Sequence, residues 1–118
     1  MLNYNHLVKT AFKAPQYAVQ GDSDIIGCVS GQAGDRKNGV LFLLYYSPEK
    51  KSLRYKVYGN PYAIAAAEWL ANETSLRRLN PGDPLDIDMI RELLDMPFSY
   101  LNILLCLEDA WNALGKRL

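Results

Sequence analysis

The chain of 118 residues is 49% hydrophobic and 22% charged, and its 13 Lys and Arg balance 13 Asp and Glu for a formal net charge of zero. A chain this long removes roughly two-thirds of its unfolded surface from water on folding, so one soluble globular domain over residues 1–118 is expected, and disordered, collagen-like and disulfide-scaffold classes are excluded. The longest apolar runs, around Val40 to Tyr46 and Ile103 to Leu107, are far shorter than the ~20 residues of a membrane helix, and Met1 to Lys13 lacks an apolar leader core, so a cytoplasmic protein with no membrane contact is expected.

Within Leu2 to Phe12, the apolar residues Leu7, Val8, Ala11 and Phe12 predict a short amphipathic helix that Pro15 ends. Ile25 to Ser30 has the β-branched content of a strand, followed by a glycine-punctuated loop over Gly31-Gln32-Ala33-Gly34-Asp35. Gly39 to Tyr46 is too apolar for a strand with one wet face, and is expected to sit centrally with both faces largely covered. After the turn Ser47 to Lys51, Leu53, Tyr55 and Val57 alternate with Arg54, Lys56 and Tyr58, the signature of a strand returning antiparallel. Alanine-rich Ala63 to Ala71 predicts a helix able to approach a sheet closely, with Pro61 in its first turn. Ile87, Ile90, Leu93 and Leu94 mark a further helix stopped by Pro97, and Leu104, Leu107, Trp111 and Leu114 mark a last one that Ser99 is placed to cap. The fold class is therefore α+β, a small antiparallel three-stranded sheet with helices packed on one face.

The charge balance conceals an asymmetry: residues 1–60 hold 8 basic and 4 acidic side chains, residues 61–118 hold 5 and 9. The near-neutral pI of about 6.6 argues against a nucleic-acid partner, and Arg36, Lys37, Lys50, Lys51, Arg54 and Lys56 form a candidate docking face for protein. Cys28 and Cys106 lie far apart with no redox or zinc spacing. The lone His6 reads as a surface residue. Asp86-x-Asp88 and Glu108-Asp109 read as a helix cap and a solvated helix face, and Gly31-x-x-Gly34 has neither nucleotide-binding pattern.

Three junctions stand out: Gly31 to Asp35, Tyr58-Gly59-Asn60-Pro61, and Met96 to Ile103. In order they resemble the motifs of the U-type iron-sulfur cluster assembly scaffolds, IscU and the N-terminal domain of NifU: A-C-G-D, Y-G-C-G-x-A-I-A and L-P-P-V-K-x-H-C-S-x-L-A-E-D-A. The resemblance covers nearly the whole chain, with Val40 to Tyr58 similar to the family's hairpin, Ala63-Ile64-Ala65 to its second motif, and Glu108-Asp109-Ala110 to the end of its third. It implies an α+β scaffold on which three loop cysteines, an aspartate and a histidine hold a transient [2Fe-2S] cluster, with sulfur delivered by a cysteine desulfurase. Soft thiolates suit that task because they bind iron strongly.

Carried over by position, the first cysteine falls on Ala33, the second on Asn60 and the third on Ile103, while the histidine falls on Asn102; the aspartate is retained as Asp35. Every ligand cysteine is missing, so no cofactor and no enzyme activity are expected. Of the chaperone-recognition stretch only Pro97 survives. The resemblance thus implies a degenerate scaffold that acts as an interaction or regulatory module, its partner a cysteine desulfurase or another scaffold. The alternative is an iron or zinc site rebuilt from Asp35 and Cys106 with help from Asn60. A third reading, a small-molecule enzyme, would use Asp35 as acid or base and Tyr62 or Tyr100 as donor.

Overall fold

Three strands, β1 (Val29–Asp35), β2 (Val40–Ser47) and β3 (Ser52–Tyr58), pair antiparallel in chain order in the computed structural model, which describes residues 4–118. The register sets Phe42 between Ala33 and Val57, and Leu43 between Gln32 and Lys56. Side chains alternate across a sheet, so Val40, Phe42, Leu44 and Tyr46 share one face and Leu41, Leu43 and Tyr45 the other. Only the first set is buried.

Helices α1 (His6–Lys13), α2 (Pro61–Ser75), α3 (Ile87–Leu93) and α4 (Leu101–Lys116) supply that burial. α2 lies on β3 and α4 on β1 and β2, while α1 packs on α2 and α3 on α4. The small faces expected of the alanine-rich segment are present: Ala63, Ala66, Ala67 and Ala71 are fully buried. Trp111, also fully buried, donates its indole N–H to the Asp83 carbonyl at 2.8 Å and so ties the proline-rich loop to α4. Asp86 caps α3 by accepting the Met89 N–H, as the sequence reading expected.

Between α1 and β1 the chain forms a strap. Glu68 on α2 accepts the backbone N–H groups of Gln16 and Tyr17 at 3.1 Å and the Tyr55 hydroxyl at 2.9 Å. The strap then bonds along the free edge of β3, Val19 N–H to the Tyr55 carbonyl and Tyr55 N–H to the Tyr17 carbonyl. Burial and the adjacent Glu68 carboxylate push the Tyr55 phenol far above its ordinary range, which keeps it a donor.

Four expectations need correction. The first strand begins later than expected: Asp22–Ile25 is a 3-10 turn and Gly31 to Asp35, expected as a loop, is most of β1. The reason lies in α4, because a Cβ on Gly31 would sit 2.6 Å from the Ala110 carbonyl oxygen and 2.7 Å from Leu114 Cα. Gly31 is there to let a helix backbone touch a strand. Second, β2 is central but has helices on one face only. Third, α4 has no side-chain cap; Ser99 lies within the 3-10 turn Phe98–Tyr100 that precedes it. Fourth, of the apolar residues expected on the first helix, Val8 and Ala11 are buried, whereas Leu7 and Phe12 are exposed; Leu2 lies outside the described residues. Among the described residues no helix is long and apolar enough to cross a membrane.

Candidate functional site

The positions marked by the three junctions gather at one end of the sheet. Asp35 closes β1 opposite Val40, Leu41 pairs with Tyr58 at the end of β3, and Asn60 follows as the cap of α2. A Cβ on Gly59 would lie 3.6 Å from Val40 Cγ2 and 3.7 Å from the Gly39 carbonyl oxygen, so the β3–α2 junction abuts the start of β2. α4 reaches the same end. A Cβ on Gly34, whose φ is +91°, would lie 2.7 Å from Cys106 Sγ, so the thiol rests directly over the strand beside Asp35.

Each position has local work. Ala33 is half-buried in β1 opposite Phe42 and carries no donor atom. The Asn60 side-chain oxygen accepts the Ala63 N–H at 3.1 Å, satisfying one of the free donors at the start of α2. Ile103 is 4% exposed and belongs to the core, while Asn102 beside it faces solvent. Both Asp35 oxygens serve the β1–β2 turn: one accepts the Asn38 backbone N–H at 2.8 Å, the other the Asn38 side-chain amide at 3.0 Å.

Cys106 is half-buried. Burial, reinforced by the negative charges of Asp109 and Asp35, pushes its thiol above the usual range. Cys28 is raised by burial too, against Lys50 and Arg54, and its thiol donates to the Asp24 carbonyl at 3.7 Å. Thiolates are the metal ligands and nucleophiles, so both environments work against those roles. Among the described residues, no three or more His, Cys, Asp or Glu side chains are grouped to share a metal ion. The donor set at this end of the sheet does not fit a cluster: two of the three cysteine positions offer no lone pair and the third is an amide already bonded.

Tyr62 and Tyr100, the donors of the enzyme reading, form an aromatic cluster with Tyr4, the rings of Tyr62 and Tyr100 tilted at 5.4 Å and Tyr4 edge-on to Tyr62 at 4.9 Å. Burial first, then Tyr4, Asp95 and Tyr100, raise the Tyr62 phenol. Asp35 is engaged elsewhere, with Asn38. A cavity of about 250 Å³ opens between α1 and α2, walled by Leu7, Ala11, Ala65 and Trp69, and its one ionisable side chain is Glu68, already holding the strap. His6 is exposed, as expected.

Sequence reasoning passed over two features. Glu68 sits in the middle of an alanine-rich helix, where nothing local marks it as the anchor of a strap. The second is the outer face of the sheet: the unbroken apolar run of β2 predicts cover on both sides, whereas no described α-helix lies on its outward side. No protein-family model matches the chain, and no curated protein matches it.

Proposed function

We propose that this chain is a degenerate scaffold of the U-type iron-sulfur assembly class, a protein-interaction or regulatory module of iron-sulfur or sulfur-transfer pathways that holds no cluster itself. One observation carries the reading: at the end of the sheet where the motif resemblance sets three cysteines, an alanine, a helix-capping asparagine and a core isoleucine stand instead, each fitted to its local structure. The α+β architecture, with helices on one face of an antiparallel sheet, is compatible with that class. On this reading the protein works in the cytoplasm, performs no catalysis, and recognises a cysteine desulfurase or a cluster-bearing scaffold.

The test is binding of a purified cysteine desulfurase, and separately of a cluster-competent scaffold, to the full chain by titration calorimetry. Saturable binding to either supports the proposal; absence of binding to both contradicts it. A second reading, an iron or zinc site rebuilt on Asp35 and Cys106, draws on the approach of Cys106 Sγ to Gly34 beside Asp35. It requires the Asp35 oxygens to leave Asn38 and the raised thiol to ionise.

A further inference from the structure

The sheet has an outer face that carries no described α-helix; the 3-10 turn Asp22–Ile25 touches β2, with Asp24 bridging to Arg54 at the Tyr45 end of that face. Its central row is Leu41, Leu43 and Tyr45, all three half-buried. Antiparallel sheets with one wet face ordinarily alternate apolar with polar residues, and β2 breaks that rule with three consecutive outward apolar side chains. At ~3.3 Å per residue the row is about 13 Å long, close to the length of two turns of helix.

On its β3 flank this row is cationic, while on the β1 flank its partners are the neutral Ser30, Gln32 and Gly34. Lys56 and Arg54 pair with Leu43 and Tyr45 across the strands. Lys56 Nζ lies 5.9 Å from the centre of the Tyr45 ring, and the Arg36 guanidinium reaches over Tyr58, 5.5 Å from its ring centre. Tyr58 itself is 52% exposed. No outward strand position carries an acid; Asp24, at the margin, approaches Arg54 at 3.8 Å. An apolar strip bordered by cations along one flank complements a helix whose apolar stripe is bordered by carboxylates along one side.

We propose that the outer face of the sheet, centred on Leu41, Leu43 and Tyr45 and bordered by Arg36, Arg54 and Lys56, docks an acidic amphipathic helix of a partner protein. Two other occupants fit less well. A second copy meeting this face through a two-fold axis that runs across the strands would set Arg54 and Lys56 against their own equivalents, and one along the strands would leave both cations facing the neutral β1 flank. Single-stranded nucleic acid needs aromatic faces free for stacking, and here cations already lie over both tyrosines. The inference rests on this face alone; it names a partner class for the interaction module proposed above without depending on the iron-sulfur reading.

The experiment is selection of a displayed helical-peptide library against the full chain, with the Lys56→Glu chain as counter-target. Enriched peptides are then measured by fluorescence anisotropy beside a uridine oligonucleotide. The expected result is enrichment of peptides with an apolar stripe flanked by Asp and Glu, binding that weakens with salt, and about tenfold weaker binding to both Lys56→Glu and Leu43→Ser. Lys56 is exposed, so its replacement leaves the core intact, and circular dichroism checks both variants. Enrichment of basic or unpatterned peptides, equal binding to the variants, no enrichment at all, or preferential binding of the oligonucleotide overturns the proposal. So does self-association in sedimentation that Lys56→Glu abolishes. The peptide selection uses no desulfurase or scaffold, so its failure and that of the desulfurase titration are told apart.

Discussion

The two faces of β2 carry similar side chains in opposite surroundings. Inward, Phe42 and Leu44 are fully buried, with α4 packed on β2; outward, Leu41, Leu43 and Tyr45 lie one residue away in sequence, half-buried, with no described α-helix over them. The difference teaches that apolar content reports how much cover a strand is suited to, and not whether the same chain provides it. A run as apolar as Val40 to Tyr46 is satisfied on one side by its own fold, and the other side is the face proposed above to dock a partner helix.

The comparison is sharpest in its largest expected effect. Phe42→Ala should cost about 3–5 kcal/mol by denaturant unfolding, because it leaves a cavity in the buried core. Leu43→Ala on the other face should cost well under half of that, and similar losses at both positions would break the distinction. Gly31→Ala should come next, at about 1–3 kcal/mol or more, since the new methyl meets α4 backbone rather than a yielding side chain; a thermal melt measures it. Asn60→Ala should cost about 1 kcal/mol, the usual loss of a side-chain helix cap.

The smallest effect is chemical. Cys106 has a folded-state pKa above its unfolded value, so as pH climbs through the ordinary thiol range the unfolded chain loses this proton first. Stability from this group is full below that range and declines above it, toward the folded-state pKa. Alkylation of Cys106 by iodoacetamide should accordingly speed up at higher pH than for a free thiol, and Asp109→Asn should shift the profile downward. A profile matching free cysteine, read by mass spectrometry, would contradict the account of its surroundings.

Much of this architecture was legible because it is written in period and punctuation. The alternation of Leu53, Tyr55 and Val57 marked β3, the alanines marked α2, and the Leu104 to Leu114 stripe marked the buried face of α4. β1 was not legible, since a glycine that admits a helix backbone is indistinguishable in sequence from one that makes a turn. The Ser99 cap failed for a related reason: a 3-10 turn starting after Pro97 takes over where a capped helix start was expected. At the candidate site, the motif resemblance located Ala33, Asn60 and Ile103, but nothing in it foretold that the Asn60 amide would cap α2 or that Asp35 would bind Asn38. Those are local hydrogen bonds decided by backbone geometry.

Cluster chemistry is the central question, and anaerobic reconstitution with ferrous iron and sulfide addresses it most directly. The native chain would be compared with Cys106→Ser and with the Ala33→Cys/Asn60→Cys/Ile103→Cys triple variant, by visible absorption and metal analysis after desalting. The account predicts a colourless, metal-free native chain and a chromophore in the triple variant, where three thiols return to the end of the sheet. A stoichiometric chromophore in the native chain that Cys106→Ser removes would contradict it.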